Sequence, residues 1–549
     1  ISLTHVYHFY PENVQDMSFL FYNCFQLKLV DFNKIDYLWE NKNVFNMEYM
    51  FNNCTELESI DIEYINTQNV TKMNYMFYNC FKLNNLNLTN FDTSSVSKME
   101  YMFANCYSLA SLKNIDFITS NVESMEFMFY NCSLLNPSKI NFDASKVTNM
   151  EFMFYQCSNL NELELDFNYT TLVQNMQYMF FNSIGLKSLT FKTHSTFNLL
   201  NMEYMFHGCK NLNDLHLDQF DASKVTNMRY MFYDCSLLKN IYIDNFNCLN
   251  VENMSHMFYN CNQLQSLANI KKFITYKVKN LDYMFTNCGG LESLFLLDFN
   301  TSFAENMEYM FSNCEKLVSL NLTSFETSNV INMEYMFNSC KKLSNLDINN
   351  FDTSKVTNMD HMFHDCNALN SINAEFNTSE VKNMNSMFYG CKNLIKLSIT
   401  NKFDTSLVTN MHQMFFNCQK IKILDLGYSY TPNLLDMYQM FYSCCNLEYL
   451  NISLFDTSKV IDMSSLFYYC KSLNILNLTN FNTSKVTTMK SMFSKCESLA
   501  NLELNFDTTL VTDMEHMFYN CHNLISLNLS SFKTNELKGN FEMFYNCSL

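Results

Sequence analysis

The sequence predicts an α/β solenoid: one continuous stack of about 21 repeats, each supplying one short strand and one short helix. Three observations predict it. The frame V-x-x-M-x-x-M-F-x-x-C-x-x-L-x-x-L-x-L recurs roughly every 26 residues along the 549-residue chain. Only 7 Gly and 3 Pro are present, so no linker or turn punctuation marks a domain boundary. The bias is also uniform: 52 Phe, 38 Met and 33 Tyr stand against a single Trp, which suits one repeated rule better than a mosaic of domains. Residues 14–549 are read as one solenoid ending in mid-repeat, and residues 1–13 as the partial strand and loop of an incomplete repeat.

The strand comes from Leu317-x-x-Leu320-x-Leu322, where Leu320 and Leu322 alternate with Ser319 and Asn321. That is the period-2 pattern of a strand with one buried face. Phe325 then turns the chain inward, and Thr327 and Ser328 are natural N-caps for a helix beginning just after them. Val330, Met333, Met336, Phe337 and Cys340 fall within an arc of ~120° on a helical wheel, which predicts one apolar stripe on a short helix. A single copy has too little core to fold alone; stacking makes the interior continuous.

The copy FDTSKVTNMDHMFHDC, Phe351 to Cys366, looks at first like a metal site, with His361, His364 and Cys366 close together. The wheel separates them. Val356, Met359, Met362, Phe363 and Cys366 form the core frame, whereas both His are expected on the solvated helix surface, where the copy ending at Cys235 carries Tyr230 and Tyr233. Zinc needs convergent ligands and these diverge, so no metal site is expected.

The string FDTSKVTNM–MF–C–L–L–L resembles the BspA-like leucine-rich-repeat family, in its branch of roughly 26-residue repeats, over essentially residues 14–549. The resemblance implies a leucine-rich-repeat fold and a secreted or surface-anchored protein that attaches to host or matrix proteins and to other cells. It carries no catalytic residues. Phe91 and Phe351 stand where other branches have an Asn or Cys ladder, so the loop geometry is expected to differ.

Of the 22 Cys, all but Cys248 and Cys445 occupy the frame position, and Ser183 replaces one. In-register strands hold Cβ atoms ~4.8 Å apart, wider than a disulfide prefers, so the frame Cys are read as a buried ladder of free thiols. Cys248 and Cys445 are expected to be the exposed ones. The Met residues fill the stripe and need no copper. Tyr75, Tyr78, Tyr101, Tyr309, Tyr335, Tyr389 and Tyr519 predict an aromatic row along an outer edge, either as packing between repeats or as a contact surface. Asn87, Asn321, Asn451, Asn477 and Asn528 lie in N-x-S/T sequons at outward strand positions and are candidate glycosylation sites.

No phosphate loop, nucleophile elbow or metal-protease motif occurs, so neither an enzyme nor a cofactor is expected. A net charge of −18 without a basic run disfavours nucleic acid and anionic membrane surfaces, and no stretch approaches the ~20 apolar residues of a membrane span. The tail CSL and the head ISL almost reconstitute one repeat when joined. That predicts a head-to-tail junction through Ile1, Leu3, Cys547 and Leu549, or else an excerpt from a longer array. The expected function is a non-enzymatic extracellular or cell-surface structural protein, assembling with itself into a fibre or coat. The alternative is an adhesin or receptor ectodomain that binds a surface or matrix protein, or a glycan, through the sheet face. Irregular places (Trp39, Pro137, Pro432) are read as register adjustments.

Overall fold

A computed structural model gives the fold and describes all residues except 1–2, 10–12, 33–42, 63–64, 89–90, 114–116, 194, 244–245, 266, 268–274, 298, 398–399 and 548–549. Trp39 therefore lies outside the described residues. Two compact units, Ile1–Tyr276 and Lys277–Leu549, are built from the same coil. In the first unit His5–Val6, Leu29–Asp31, Ser59–Asp61, Asn85–Asn87 and Ser111–Lys113 form one sheet. Lys139–Asp143, Glu162–Asn168, Ser188–Thr193, Asp214–His216 and Asn240–Tyr242 form another. The second unit carries shorter sheets of the same kind, such as Ile423–Asp425, Tyr449–Asn451 and Ile475–Leu476. Pairing is parallel and in register from coil to coil: Leu424 faces Leu450, and Leu450 faces Leu476. Leu450 and Ile452 are buried while Tyr449 and Asn451 point out, as alternation dictates.

The expected short helix is absent: no helix occurs among the described residues. Its stretch folds instead as two consecutive tight turns. In 333–340 the N–H groups of Met336, Asn338 and Cys340 donate three residues back, to Met333, Tyr335 and Phe337. The N–H groups of Met333, Tyr335, Phe337 and Ser339 leave the coil and donate to Asn358, Asp360, Met362 and His364 of the next coil, at 3.2, 2.9, 2.9 and 2.7 Å. An α-helix would keep all these donors within the segment. The switch is made by two left-handed residues per coil, here Tyr335 (φ 53°) and Ser339 (φ 57°). The pair recurs from Phe19 and Asn23 to Glu542 and Asn546.

The apolar stripe is nevertheless inside. Val356, Met359, Met362, Phe363 and Cys366 are each 0% exposed. Phe363 stacks between Phe337 (5.5 Å) and Phe388 (5.6 Å), within the range of aromatic pairs that contribute ~0.5–1.5 kcal/mol beyond burial. Thr327 does not cap a helix. Its carbonyl accepts the Val330 N–H, and its buried hydroxyl donates to Asp352 O of the next coil at 2.9 Å. The strand and both turns thus feed the same inter-coil ladder.

Candidate functional site

The first left-handed position in each coil is mostly aromatic, and its rings stack. Tyr49, Tyr75, Tyr101 and Phe127 follow one another at 4.7, 4.5 and 4.3 Å between centroids. A second row runs three residues further on, with Tyr130, Tyr155, Phe181 and His207 at 4.7, 4.8 and 4.4 Å. A left-handed L-residue costs ~1–2 kcal/mol; one ring stack and one ladder hydrogen bond per coil offset it. The rows present ring edges, because their faces are already covered.

His361 and His364 belong to these rows. His361 stacks on Tyr335 at 4.3 Å and His364 on Tyr389 at 4.4 Å, and His361 Nδ1 lies 2.6 Å from Asp360 Oδ1. The expectation of solvated helix residues is therefore corrected: both are half-buried side chains in tight turns. Burial holds His364 down at about 4, against the opposing pull of Asp365. The thiol of Cys366 turns the other way and donates to Phe337 O at 3.0 Å. Among the described residues no group of three or more His, Cys, Asp or Glu could hold a metal ion.

That thiol bond repeats. Cys54 donates to Phe21 O, Cys80 to Phe51 O and Cys106 to Phe77 O, each at 3.1 Å. The same Phe carbonyl accepts the Cys N–H of its own coil, as Phe51 does from Cys54, so both its lone pairs are used. Ser183 makes the equivalent bond to Phe154 O at 2.7 Å. All the cysteines are free. Burial pushes the Cys54 thiol up to about 12 and Cys80 well above its ordinary value, which keeps these thiols protonated donors. Cys248 departs from expectation: it is buried, because it replaces the buried Thr (Thr93, Thr301, Thr327) that precedes the turn. Cys445 is partly exposed.

Sequence reasoning missed the polar ladders. The second left-handed position favours Asn, which tolerates that conformation. Asn79 donates to Asn53 at 2.7 Å, Asn105 to Asn79 at 2.8 Å and Asn131 to Asn105 at 3.1 Å. A signal was available: the residue just before the frame Cys is usually Asn and twice Gly (Gly208, Gly390), both with positive φ. A second ladder uses the N-M-E segment. Asn358 Oδ1 accepts the Asp360 N–H at 3.0 Å, while its amide donates to Glu334 of the preceding coil at 2.8 Å. Burial, then the neighbouring Asp360 and Glu308 charges, raises the Glu334 carboxyl.

On the sheet face, Asn477 and Asn528 are exposed and Asn321 and Asn451 partly so; Asn87 lies in the strand Asn85–Asn87. Asn321 and Asn477 each accept the N–H and hydroxyl of the sequon Thr two residues on. Asn451 donates to Asp425 at 2.8 Å. The outward row is polar in most coils of the second unit (Ser293, Ser319, Asn345, Ser371). It turns apolar at Ile423, Tyr449 and Ile475, which lie in register and exposed. Of the expected junction residues, Leu3 is half exposed and Cys547 donates to Phe518 O at 2.8 Å; Ile1 and Leu549 lie outside the described residues.

The family model described as "Mycoplasma protein of unknown function, DUF285" matches residues 3–116, 110–213, 174–293, 200–320, 305–428 and 435–549. No curated protein matches the sequence. Similar solved structures include a leucine-rich repeat protein from Bacteroides ovatus, with 18% identity and a TM-score of 0.36 over 71% of this chain and 86% of that one. Another is a leucine rich cell surface protein from Faecalibacterium prausnitzii, with 14% identity and a TM-score of 0.25 over 77% of this chain and 83% of that one.

Proposed function

The chain belongs to the family described as Mycoplasma protein of unknown function, DUF285, and we propose that it is a non-enzymatic extracellular or cell-surface repeat protein whose role is structural, copies stacking end to end. The coil-to-coil ladder carries this reading. Each coil turns a different, complementary set of donors and acceptors to the next coil and to the preceding one. Met333, Tyr335, Phe337 and Ser339 donate toward the coil of 358–364, and from that coil the Thr357 N–H and the Cys366 thiol donate back to Ile331 O and Phe337 O. Two unlike, complementary faces make a heterologous contact, which joins the end of one copy to the start of the next and propagates wherever its rotation does not close a ring. The resemblance of the repeat to BspA-like proteins supports the extracellular address, and no helix among the described residues is long and apolar enough to cross a membrane. Electron microscopy of the native protein tests the assembly. End-to-end strings that lengthen with concentration are the expected result. A concentration-independent monomer, checked by analytical ultracentrifugation, overturns it.

A second reading, attachment through the sheet face, is favoured by one observation: the apolar interruption at Ile423, Tyr449 and Ile475 in an otherwise polar row.

A further inference from the structure

We propose that the sheet face of the second unit binds a neutral carbohydrate polymer laid across successive coils; this deepens the second reading and rests on it. Ile423 and Ile475 are 64% and 61% exposed and Tyr449 lies between them, in a row where the coils on either side carry Ser371 and the exposed Lys396 on one side and Asn501 and Ser526 on the other. Beyond Ile475 the face dips into an open depression of about 590 Å³, lined by the polar side chains of Asn477, Thr479, Asn501, Glu503, Ser526 and Asn528.

The lining chooses the occupant. No Lys or Arg borders the depression, so a phosphate, a sulfate or a nucleic acid finds no counter-charge. Amides and hydroxyls both donate and accept, which is what sugar hydroxyls need. Ser526 already donates to Asn501 at 2.8 Å across neighbouring coils, so these groups sit within reach of one ligand. The C–H faces of sugar rings suit Tyr449 and the two Ile, an apolar strip beside convergent polar groups. A protein partner needs ~800 Å² per side around an apolar centre. The contiguous apolar residues of this row are only Ile423, Tyr449 and Ile475, and Phe295, also exposed on a strand of this unit, is separated from them by the polar coils of Ser319, Asn345 and Ser371. Because equivalent positions recur at ~4.8 Å from coil to coil, a polymer of regular repeat can reuse the same contacts.

The test uses the full chain made in a host that does not N-glycosylate, since Asn477 and Asn528 line the depression and must be bare. Binding to cellulose, chitin, mannan and starch is measured by pull-down, with the matching hexasaccharide as competitor and calorimetric titrant. We expect saturable binding to at least one of them. Tyr449→Ser and Ile475→Ser give their coils the outward residue found in neighbours, so both should fold; each should weaken binding at least ~10-fold. Ser293→Ala should leave it unchanged. Absence of binding to all four polymers, or binding indifferent to Tyr449→Ser and Ile475→Ser, overturns the proposal. Capture of members of an unglycosylated peptide library that depends on Tyr449, with no polymer bound, overturns the carbohydrate while leaving the sheet-face reading standing. Loss of both overturns both.

Discussion

Asn105 distinguishes a left-handed turn from a helix through the order of two substitutions. It sits at φ 62°, donates to Asn79 at 2.8 Å and accepts from Asn131 at 3.1 Å. Alanine and glycine both remove these two bonds, a loss of about 1 kcal/mol each. They differ in what remains. Alanine keeps a Cβ in the left-handed region at ~1–2 kcal/mol, whereas glycine escapes that cost and gives up only ~0.5–1 kcal/mol of unfolded-state freedom. Asn105→Gly should therefore be the more stable variant by about 1 kcal/mol. A helix demands the opposite, because alanine is favoured over glycine in a helix interior by ~1 kcal/mol. A stacked chain need not unfold in one step, so the assay is local: native-state hydrogen exchange at the amides of Phe103, Asn105 and Cys106. The expected gap is about fivefold in exchange rate, with Asn105→Ala the faster. Alanine equal to or slower than glycine would refute the two-turn coil.

Three further outcomes are expected of the same coil. Phe363→Ala should lose ~3–5 kcal/mol locally, read as faster native-state hydrogen exchange at the amides of Phe337, Phe363 and Phe388, because it empties a fully buried slot between Phe337 and Phe388. Iodoacetamide applied to the native chain should label Cys24, Cys445 and Cys547 and spare the buried thiols, with mass spectrometry of the peptides as readout; Cys366→Ser should be tolerated better than Cys366→Ala, because Ser183 already makes the ladder bond. Burial holds His207, His256 and His364 at about 4 against an ordinary 6.5, so the neutral rings stabilise the fold fully above 6.5 and that contribution is lost as pH falls from 6.5 toward 4. The melting temperature should drop across that window, and His207→Tyr, the residue type stacked beside it at Tyr233, should blunt the drop.

What the sequence discloses is burial, and what it hides is backbone. The residues Val330, Met333, Met336, Phe337 and Cys340 are all inside, as their spacing says. Yet intervals of three and four are shared by a helix and by two chained tight turns whose alternate amides leave the coil. Only the residues that accept a positive φ tell them apart. Tyr335 conceals the first of these positions, because an aromatic residue there is held by its neighbours in the stack and by no preference of its own. The Asn, or in two coils Gly, that usually precedes the frame Cys betrays the second. Cys248 misled for a related reason: its burial comes from its column in the stack, and a column is visible only when coils are aligned on the buried Thr. The apolar run at Ile423, Tyr449 and Ile475 was open to the same alignment, but each residue alone reads as ordinary surface.

The ladders carry a consequence at the level of inheritance. The backbone partners recur at nearly the same offset through the described coils, and most of those coils add the same thiol and either the ring or the amide, so excising the residues from one frame Cys to the next brings together two coils whose backbones already fit. Inserting such a segment does the same. A gene encoding this protein can gain or lose whole coils by unequal recombination without an intermediate that fails to fold, and length becomes a trait that drifts in steps of one coil while the chemistry of each step stays fixed.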